Sequence, residues 1–252
     1  MTLPKVSCYC ATYGRPWALE ESVMSFLKQD YEGEKELVIL NDYRDHTLHY
    51  QHPEITIINV PNRIVPLGKK FNETVSFCTG DVLLPWEDDD VFLPNRIRYS
   101  VENMQNGFYH NGFAWAEGKD GLVLSGNFFH CNMAFSRDLW KLAGGYAEID
   151  ECILDIDFMA HIRKAANLHT MPILPEDIFY VYRWGTSQSY HASGWGGGVN
   201  VSEGAAAIVE TQAAKGLVPK GPYMLKPYWS YDYVEAARKA CAIMAFQTTT
   251  QE

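Results

Sequence analysis

The sequence lacks a long apolar run, a paired CxxC spacing and a block of basic residues. A helix that crosses a bilayer needs about 20 consecutive, mainly apolar residues, so we expect no transmembrane segment. The six cysteines are scattered through mostly apolar stretches, which favours reduced thiols over zinc binding. These features predict a cytoplasmic protein, at most peripheral to a membrane.

The chain also lacks the charge that nucleic-acid binding requires. Its formal net charge is -10, whereas proteins that wrap nucleic acid neutralise phosphates with clustered lysine and arginine. We therefore expect no nucleic-acid partner. An anionic small-molecule substrate would instead need a bound metal or a few local basic side chains.

What the sequence does contain is an alternation of short apolar runs with segments of helical periodicity. Val6–Ala11, Leu37–Leu40, Ile55–Val60 and Val82–Leu84 have the composition of buried strands. Alternating strands and helices of this length predict an α/β fold with a mainly parallel sheet. After residue 107 the runs become shorter, which predicts a mixed or antiparallel extension of the sheet.

Three further helices have predicted bounds. One should span Pro94–Asn106, with the proline at its first position. Glu203–Ala214 and Val234–Phe246 also show helical periodicity. We expect residues 1–200 to form one main domain and residues 201–252 to form a C-terminal helical extension that packs on this domain or trails from it.

Four consecutive acids, Glu87–Asp90, follow the strand-like run Val82–Leu84. They fall in a loop at the carboxyl edge of the sheet, where open α/β folds bind ligands. Adjacent carboxylates raise one another's pKa values unless a cation shares the site, and hard oxygen ligands suit Mg²⁺ or Mn²⁺. The loop therefore predicts a divalent-metal site beside the phosphates of a nucleotide; a solvated acidic turn is the alternative.

Two other polar segments end strands at the same predicted edge. The first strand is followed by Thr12-Tyr-Gly-Arg-Pro16. The second is followed by Asn41-Asp42 and then by a polar stretch that is not expected to continue the core. Because the carboxyl ends of parallel strands share one edge, these segments should lie near the acidic loop.

Together with Gly144-Gly145-Tyr146 and the acidic helix start at Asp155, these segments resemble glycosyltransferase family 2, over roughly Val6 to His191. The resemblance implies the GT-A fold, a Rossmann-like, mixed and mainly parallel sheet flanked by helices. It also implies an inverting transfer of a sugar from a nucleoside-diphosphate donor to a saccharide, glycan or other hydroxyl acceptor. Mn²⁺ or Mg²⁺ would be the cofactor.

The resemblance further implies roles for individual residues. Asp88 and Asp90 would bind the metal, with Asp89 close enough for the register to shift by one residue, and His191 would be a nitrogen ligand. It leaves open whether Glu87 shares the ligand set. The side chains that would contact the nucleotide sugar are Thr12, Tyr13, Arg15, Asn41, Asp42, Lys69, Lys70, Asn72, Asp88, Asp89, Arg183 and Trp184.

The base of the nucleotide would be read by Asp42, or by the neighbouring Asn41. A carboxylate accepts a hydrogen bond from the N–H of uracil. We therefore expect a UDP-sugar donor.

The catalytic base of the family usually comes from a Glu-Asp pair at a helix start after the double glycine. Here the pair reads Leu154-Asp155, so Asp155 is the predicted base and Asp157 is assigned to capping. The helix should span Asp155–Lys164. Judged on the residues alone, the alternative is that both acids only cap the helix and interact with its dipole.

Two other functions remain open at this point. A nucleotidyltransferase acting on a sugar phosphate would also place acids on a nucleotide-binding sheet. It would need a glycine-rich phosphate loop after the first strand, where this chain has only Gly14 and Arg15, and this favours sugar transfer. The missing glutamate before Asp155 supports a third interpretation, a catalytically inactive module that binds nucleotide sugars.

Overall fold

The computed structural model describes residues 2–118, 121–183 and 200–249. The strands of this part are β1 (Val6–Thr12), β2 (Lys35–Asn41), β3 (His46–His49), β4 (Ile55–Asn59), β5 (Val82–Pro85), β6 (Val91–Phe92), β7 (Phe108–His110), β8 (Phe113–Gly118), β9 (Gly121–Gly126), β10 (Met133–Ser136), β11 (Tyr180–Tyr182) and β12 (Gly221–Met224). The α-helices are α1 (Pro16–Leu27), α2 (Leu67–Ser76), α3 (Arg96–Glu102), α4 (Arg137–Ala143), α5 (Leu154–Ala166), α6 (Val201–Ala214) and α7 (Tyr233–Thr249). Short 3-10 turns span His130–Asn132 and Pro175–Asp177.

The central sheet has the strand order β4-β2-β1-β5-β10-β7. Its first four strands are parallel, while β10 runs antiparallel to both β5 and β7. Thr12 pairs with Asn41, and Tyr9 pairs with Pro85. The loops after β1, β2 and β5 therefore meet at one edge, and the predicted α/β fold with a mainly parallel sheet and an antiparallel extension is confirmed.

A second sheet, with the order β6-β11-β8-β9, stands beside this edge. The acidic loop 86–90 connects β5 of the central sheet to β6 of the second sheet. β11 pairs antiparallel with β6, so that Tyr180 faces Phe92. The loop is thus fixed at both ends by different sheets.

Helices cover both faces of the central sheet because residues along β1 alternate between two cores. Val6, Cys8 and Cys10 join α1, α3 and α7 in one buried cluster. Tyr9 joins α2, α4 and α5 in the other. Packing both faces of the sheet accounts for the continuous apolar runs of the parallel strands.

The helix predicted over Pro94–Asn106 is shorter than expected, since α3 spans only Arg96–Glu102. Pro94 precedes the helix instead of opening it, and its carbonyl accepts a hydrogen bond from the Asp30 amide. The helix ends at Glu102, and Asn106 and Gly107 beyond it take positive φ angles of 49° and 73°. The tight turn that they form leads into β7 instead of extending the helix.

The prediction for the polar stretch after Asn41-Asp42 is wrong, because this stretch contains β3. Leu48 of β3 is 1% exposed, and β3 pairs in parallel with β12, more than 170 residues later in the chain. A strand of four residues whose partner is so distant in sequence leaves no local pattern that identifies it.

The C-terminal elements pack onto the sheet-bearing part of the chain. Glu20 accepts hydrogen bonds from the Lys226 amide and the Tyr223 hydroxyl, at 2.8 and 3.1 Å. Tyr233 of α7 is buried in the same core as α1. The predicted domain boundary at residue 200 stays a prediction. Within the described ranges, no helix combines the length and apolar character needed to cross a membrane.

Candidate active site

Asp88 and Asp89 of the acidic loop are paired with the loop after β1. The Thr12 hydroxyl donates to Asp88 at 2.6 Å, and the Arg15 guanidinium donates to the same carboxylate through Nη2 and Nε. Arg15 Nη1 donates to Asp89 at 2.9 Å. Asp88 and Asp89 are 1% and 4% exposed. Arg15 therefore supplies the positive charge that these buried acids need.

Asp90 points to the opposite side of the loop. It accepts hydrogen bonds from the Tyr180 hydroxyl at 2.5 Å and from the Arg183 amide at 3.1 Å. The Arg183 side chain donates to the Asp89 carbonyl at 2.6 Å and to the Glu21 carboxylate. Arg183 thus ties the acidic loop to α1.

The loop presents a set of oxygen donors that fits a hard divalent cation. One carboxylate oxygen from each of Glu87, Asp89 and Asp90 lies within 4.8 Å of the others. Burial, followed by the charges of Asp89 and Glu87, raises the pKa of Asp90 well above its usual value. Carboxylate oxygens are the ligands that Mg²⁺ and Mn²⁺ prefer, and a cation here would offset this concentrated negative charge.

A pocket opens between the acidic loop and α5, and Asp155 lines it on the side of α5. Asp157, two residues later, lies 3.3 Å from His161 of its own helix and does not line the pocket. The side chains that line the pocket around the acids are Tyr9, Arg15, Phe71, Trp86, Glu87, Asp88, Asp89, Leu154 and Asp155.

The other end of the pocket is built from the loop after β2 and from α6. Asp42 accepts hydrogen bonds from Lys70 Nζ at 2.6 Å and from the Ile64 amide at 2.8 Å. The Arg63 guanidinium lies 3.8 Å above the Tyr13 ring. An acid, two bases and an aromatic face therefore line this end, together with Val201, Ser202 and Ala205 of α6.

Comparison with known proteins identifies the family. The model of glycosyl transferase family 2 matches residues 7–135, slightly more than half of the chain. The chain belongs to this family. No curated protein matches the sequence.

Several solved structures share the fold of this family 2 chain. The mannosyltransferase PcManGT from Pyrobaculum calidifontis, in complex with GDP-Man and Mn2+, is 17% identical with a TM-score of 0.54, and the match covers 96% of this chain and 87% of that one. S. aureus TarS 1-349 in complex with UDP-GlcNAc is 12% identical with a TM-score of 0.57, and the match covers 96% and 71% of the two chains. Another structure of TarS 1-349 matches at 14% identity and a TM-score of 0.53, over 71% of this chain and 60% of that one.

These findings confirm the resemblance drawn from the sequence. The chain belongs to glycosyl transferase family 2 and has the GT-A fold, a mixed and mainly parallel sheet flanked by helices. Family membership favours sugar transfer over the two alternatives, a nucleotidyltransferase and an inactive binding module.

Several residues expected to contact the nucleotide sugar lie outside the pocket. Asn41 holds the turn after β2 by accepting from the Tyr43 amide at 3.2 Å. Asn72 accepts from the Tyr146 amide and donates to its carbonyl, both at 2.8 Å. Lys69 is exposed and lies 3.9 Å from Glu73. Their predicted contacts with the donor stay predictions.

Of the other predicted residues, Arg183 is buried against Glu21 and does not line the pocket. Asp90 lies beneath the pocket wall, at 0% exposure. Trp184 and His191 lie outside the described residues.

Sequence reasoning missed His130, which contacts the acidic loop from behind. Its Nδ1 lies 3.1 Å from Glu87 Oε1, and its Nε2 lies 2.6 Å from the Tyr146 hydroxyl. Burial alone would lower the pKa of His130, but the carboxylates of Asp155 and Glu87 outweigh burial and raise it. His130 falls within Phe128–Phe135, a run that the sequence predicts to be a strand. Its contact with Glu87 is therefore visible only in the fold.

Proposed function

We propose that this glycosyltransferase moves a sugar, with inversion, from a nucleoside-diphosphate donor to a hydroxyl of a saccharide, glycan or other acceptor, in a reaction that depends on Mn²⁺ or Mg²⁺. The observation that carries the proposal is the single pocket that joins the acidic loop, the Asp42 and Arg63 end and Asp155. The donor complexes of two proteins with the same fold, one with GDP-Man and Mn2+ and one with UDP-GlcNAc, support it.

Glu87, Asp89 and Asp90 would hold the divalent cation, because their carboxylate oxygens already lie within 4.8 Å of one another. When bound, the cation would neutralise charge on the diphosphate leaving group. Asp88 is engaged by Thr12 and Arg15, so its assignment as a ligand stays a prediction, as does that of His191.

Arg15 would contact the diphosphate from the pocket side. Its side chain is 19% exposed and already faces two acids of the loop. A guanidinium binds phosphate oxygens through paired N–H donors. Arg15 is therefore placed to exchange part of its contact with the acids for contact with the donor.

We assign the nucleoside to the end of the pocket that contains Asp42, Arg63 and Tyr13. Asp42 can accept an N–H of the base, and Arg63 can donate to a base carbonyl. Uracil offers both groups, and guanine does too. We retain UDP as the proposed donor nucleotide, and displacement of a bound donor better by GDP than by UDP would reject it.

Asp155 would accept the acceptor proton. It lies on the first turn of α5 and faces the same pocket as the acidic loop. A general base must reach the attacking hydroxyl while the leaving group departs on the far side. Asp157, paired with His161, is not placed for this role.

The residues beyond 200 would belong to the transferase unit in function, because α6 lines the pocket. The division into residues 1–200 and 201–252 stays a prediction, and it would separate two parts of the proposed donor site. The expected cytoplasmic location stays a prediction.

A panel of nucleotide sugars tests the proposal. Release of nucleoside diphosphate would be measured with Mn²⁺, with Mg²⁺ and with EDTA, using the full chain. We expect one donor class to be hydrolysed slowly in the presence of metal and to be stable in EDTA. Equal turnover in EDTA would reject metal dependence. Release of pyrophosphate from a sugar phosphate and a nucleoside triphosphate would indicate a nucleotidyltransferase instead.

A second experiment distinguishes the metal ligands. Asp88→Asn, Asp89→Asn and Asp90→Asn each remove one negative charge at an adjacent position with almost no change in side-chain volume. If the geometric assignment is right, the Asp89 and Asp90 variants weaken Mn²⁺ binding more than the Asp88 variant does. The reverse order would restore Asp88 as the ligand.

A further inference from the structure

His130 occupies a buried position between the acidic loop and α5. It lies in the short 3-10 turn His130–Asn132 and is 5% exposed. Its Nδ1 faces the Glu87 carboxylate at 3.1 Å. An ionised carboxylate only accepts hydrogen bonds, so Nδ1 carries a hydrogen and donates it to Glu87.

The other side of the imidazole ring is anchored in the core. Nε2 lies 2.6 Å from the Tyr146 hydroxyl, which also contacts the Tyr9 hydroxyl of β1. The Tyr146 ring stacks on Phe158 with a centroid distance of 3.8 Å, and Asn72 binds the Tyr146 backbone on both its N–H and its C=O. A ring held on this side by a fixed tyrosine directs its Nδ1 hydrogen in one direction only.

Glu87 is more exposed than the other two acids of the proposed cation set. Its side chain is 27% exposed, whereas Asp89 and Asp90 are at most 4% exposed and are held by Arg15, Tyr180 and the Arg183 amide. Repulsion from Asp89 and Asp90 would turn a more exposed glutamate toward solvent.

We propose that His130 is a positioning residue that holds the Glu87 carboxylate within the cation-binding set. The inference rests on the proposed cation site at Glu87, Asp89 and Asp90. His130 itself does not line the pocket. It acts by giving one hydrogen bond to Glu87 from a ring that the core holds in place.

A matched pair of variants separates this role from packing. The amide nitrogen of asparagine falls near the position of Nδ1, whereas that of glutamine falls near Nε2. Asparagine is one methylene shorter and leaves the larger void, so a loss of packing alone would affect His130→Asn more. His130→Asn should keep the donor to Glu87, and His130→Gln should lose it. Affinity for Mn²⁺ alone would be measured by EPR titration of the full-length chain, without any turnover.

We expect His130→Gln to weaken Mn²⁺ binding about tenfold, the effect of losing one hydrogen bond to a charged group, while His130→Asn stays within about twofold of the wild type. In a Glu87→Gln background, His130→Gln should have no further effect, because the two residues act through one contact. An equal loss in both His130 variants, or a loss that persists in the Glu87→Gln background, would overturn the inference. Mn²⁺ binding that fails already in the wild-type chain would overturn the proposed cation site itself.

Discussion

The two acidic clusters of this family 2 chain line the same pocket but are built differently. The acids of the loop, Glu87–Asp90, lie between two sheets, and an arginine binds the loop from each side. Asp155, in contrast, stands half-buried on the first turn of a helix. One cluster is dense, mostly buried and compensated by arginines, and the other presents a single acid to the pocket.

The acids of the loop suit binding of the donor, and Asp155 suits proton transfer. Buried acids that are held by fixed donors cannot move, which suits a site that keeps a cation and a diphosphate in place. A general base must instead gain and lose a proton in each turnover and remain accessible to the acceptor. The comparison therefore predicts that variants of the two clusters differ in which measured quantity they change.

The largest effect is expected for Asp155→Asn. Loss of a general base typically lowers the rate 10²–10⁴-fold, whereas donor affinity depends on the loop and should barely change. Turnover with a saturating donor and donor binding by calorimetry would be measured on the same preparation.

Asp157→Asn is the control, since Asp157 lies on the same helical turn and pairs with His161. It should keep turnover near that of the wild type. If Asp157→Asn abolishes turnover and Asp155→Asn does not, the base is two residues away from the one that we assign. A parallel loss of donor affinity in Asp155→Asn would remove the contrast between the clusters.

The sequence could predict these two clusters because each has a local signature. Four adjacent acids after an apolar run, and an acidic first turn of a helix, are visible without the fold. The parallel direction of β1, β2, β4 and β5 also follows from the alternation of strands and helices, whereas their order in the sheet does not.

The supports of the clusters could not be predicted from the sequence. Arg183 and Glu21 are separated by 162 positions, and His130 meets Glu87 only through the antiparallel return of β10. A buried ion pair or hydrogen bond between distant segments has no sequence period. The contact with the nucleotide sugar expected for Arg183 stays a prediction, and the fold shows in addition that its side chain pairs with Glu21 of α1.

The second prediction concerns this buried support. In Arg183→Met, the Glu21 carboxylate keeps the Ser230 amide as a donor at 2.6 Å but loses its counter-charge. Breaking a buried ion pair by removing one partner costs about 3–5 kcal/mol. We expect a loss of this size in the free energy of unfolding, measured by urea denaturation of the protein without ligands.

The double variant Arg183→Met with Glu21→Gln sharpens this test. It removes the uncompensated charge as well, so most of the lost stability should return. If the double variant is as unstable as Arg183→Met alone, the loss comes from the contacts of Arg183 with the loop backbone and not from the Glu21 charge.

The smallest effect is expected on the pocket side of the loop, where Arg15→Gln should shift two affinities in opposite directions. Arg15 donates to Asp89 at 2.9 Å, and Asp89 belongs to the proposed cation set, so removing the guanidinium should strengthen Mn²⁺ binding in the absence of nucleotide severalfold. The same change removes charged donors from the diphosphate and should weaken UDP binding about tenfold.

Arg63→Gln is the control, because Arg63 lines the nucleoside end of the pocket and should weaken UDP binding without changing the affinity for Mn²⁺ alone. Both affinities would be measured by titration. If Arg15→Gln weakens Mn²⁺ binding as well, Arg15 supports the loop as Arg183 does. The partly exposed Arg15 and the buried Arg183 would then have the same role.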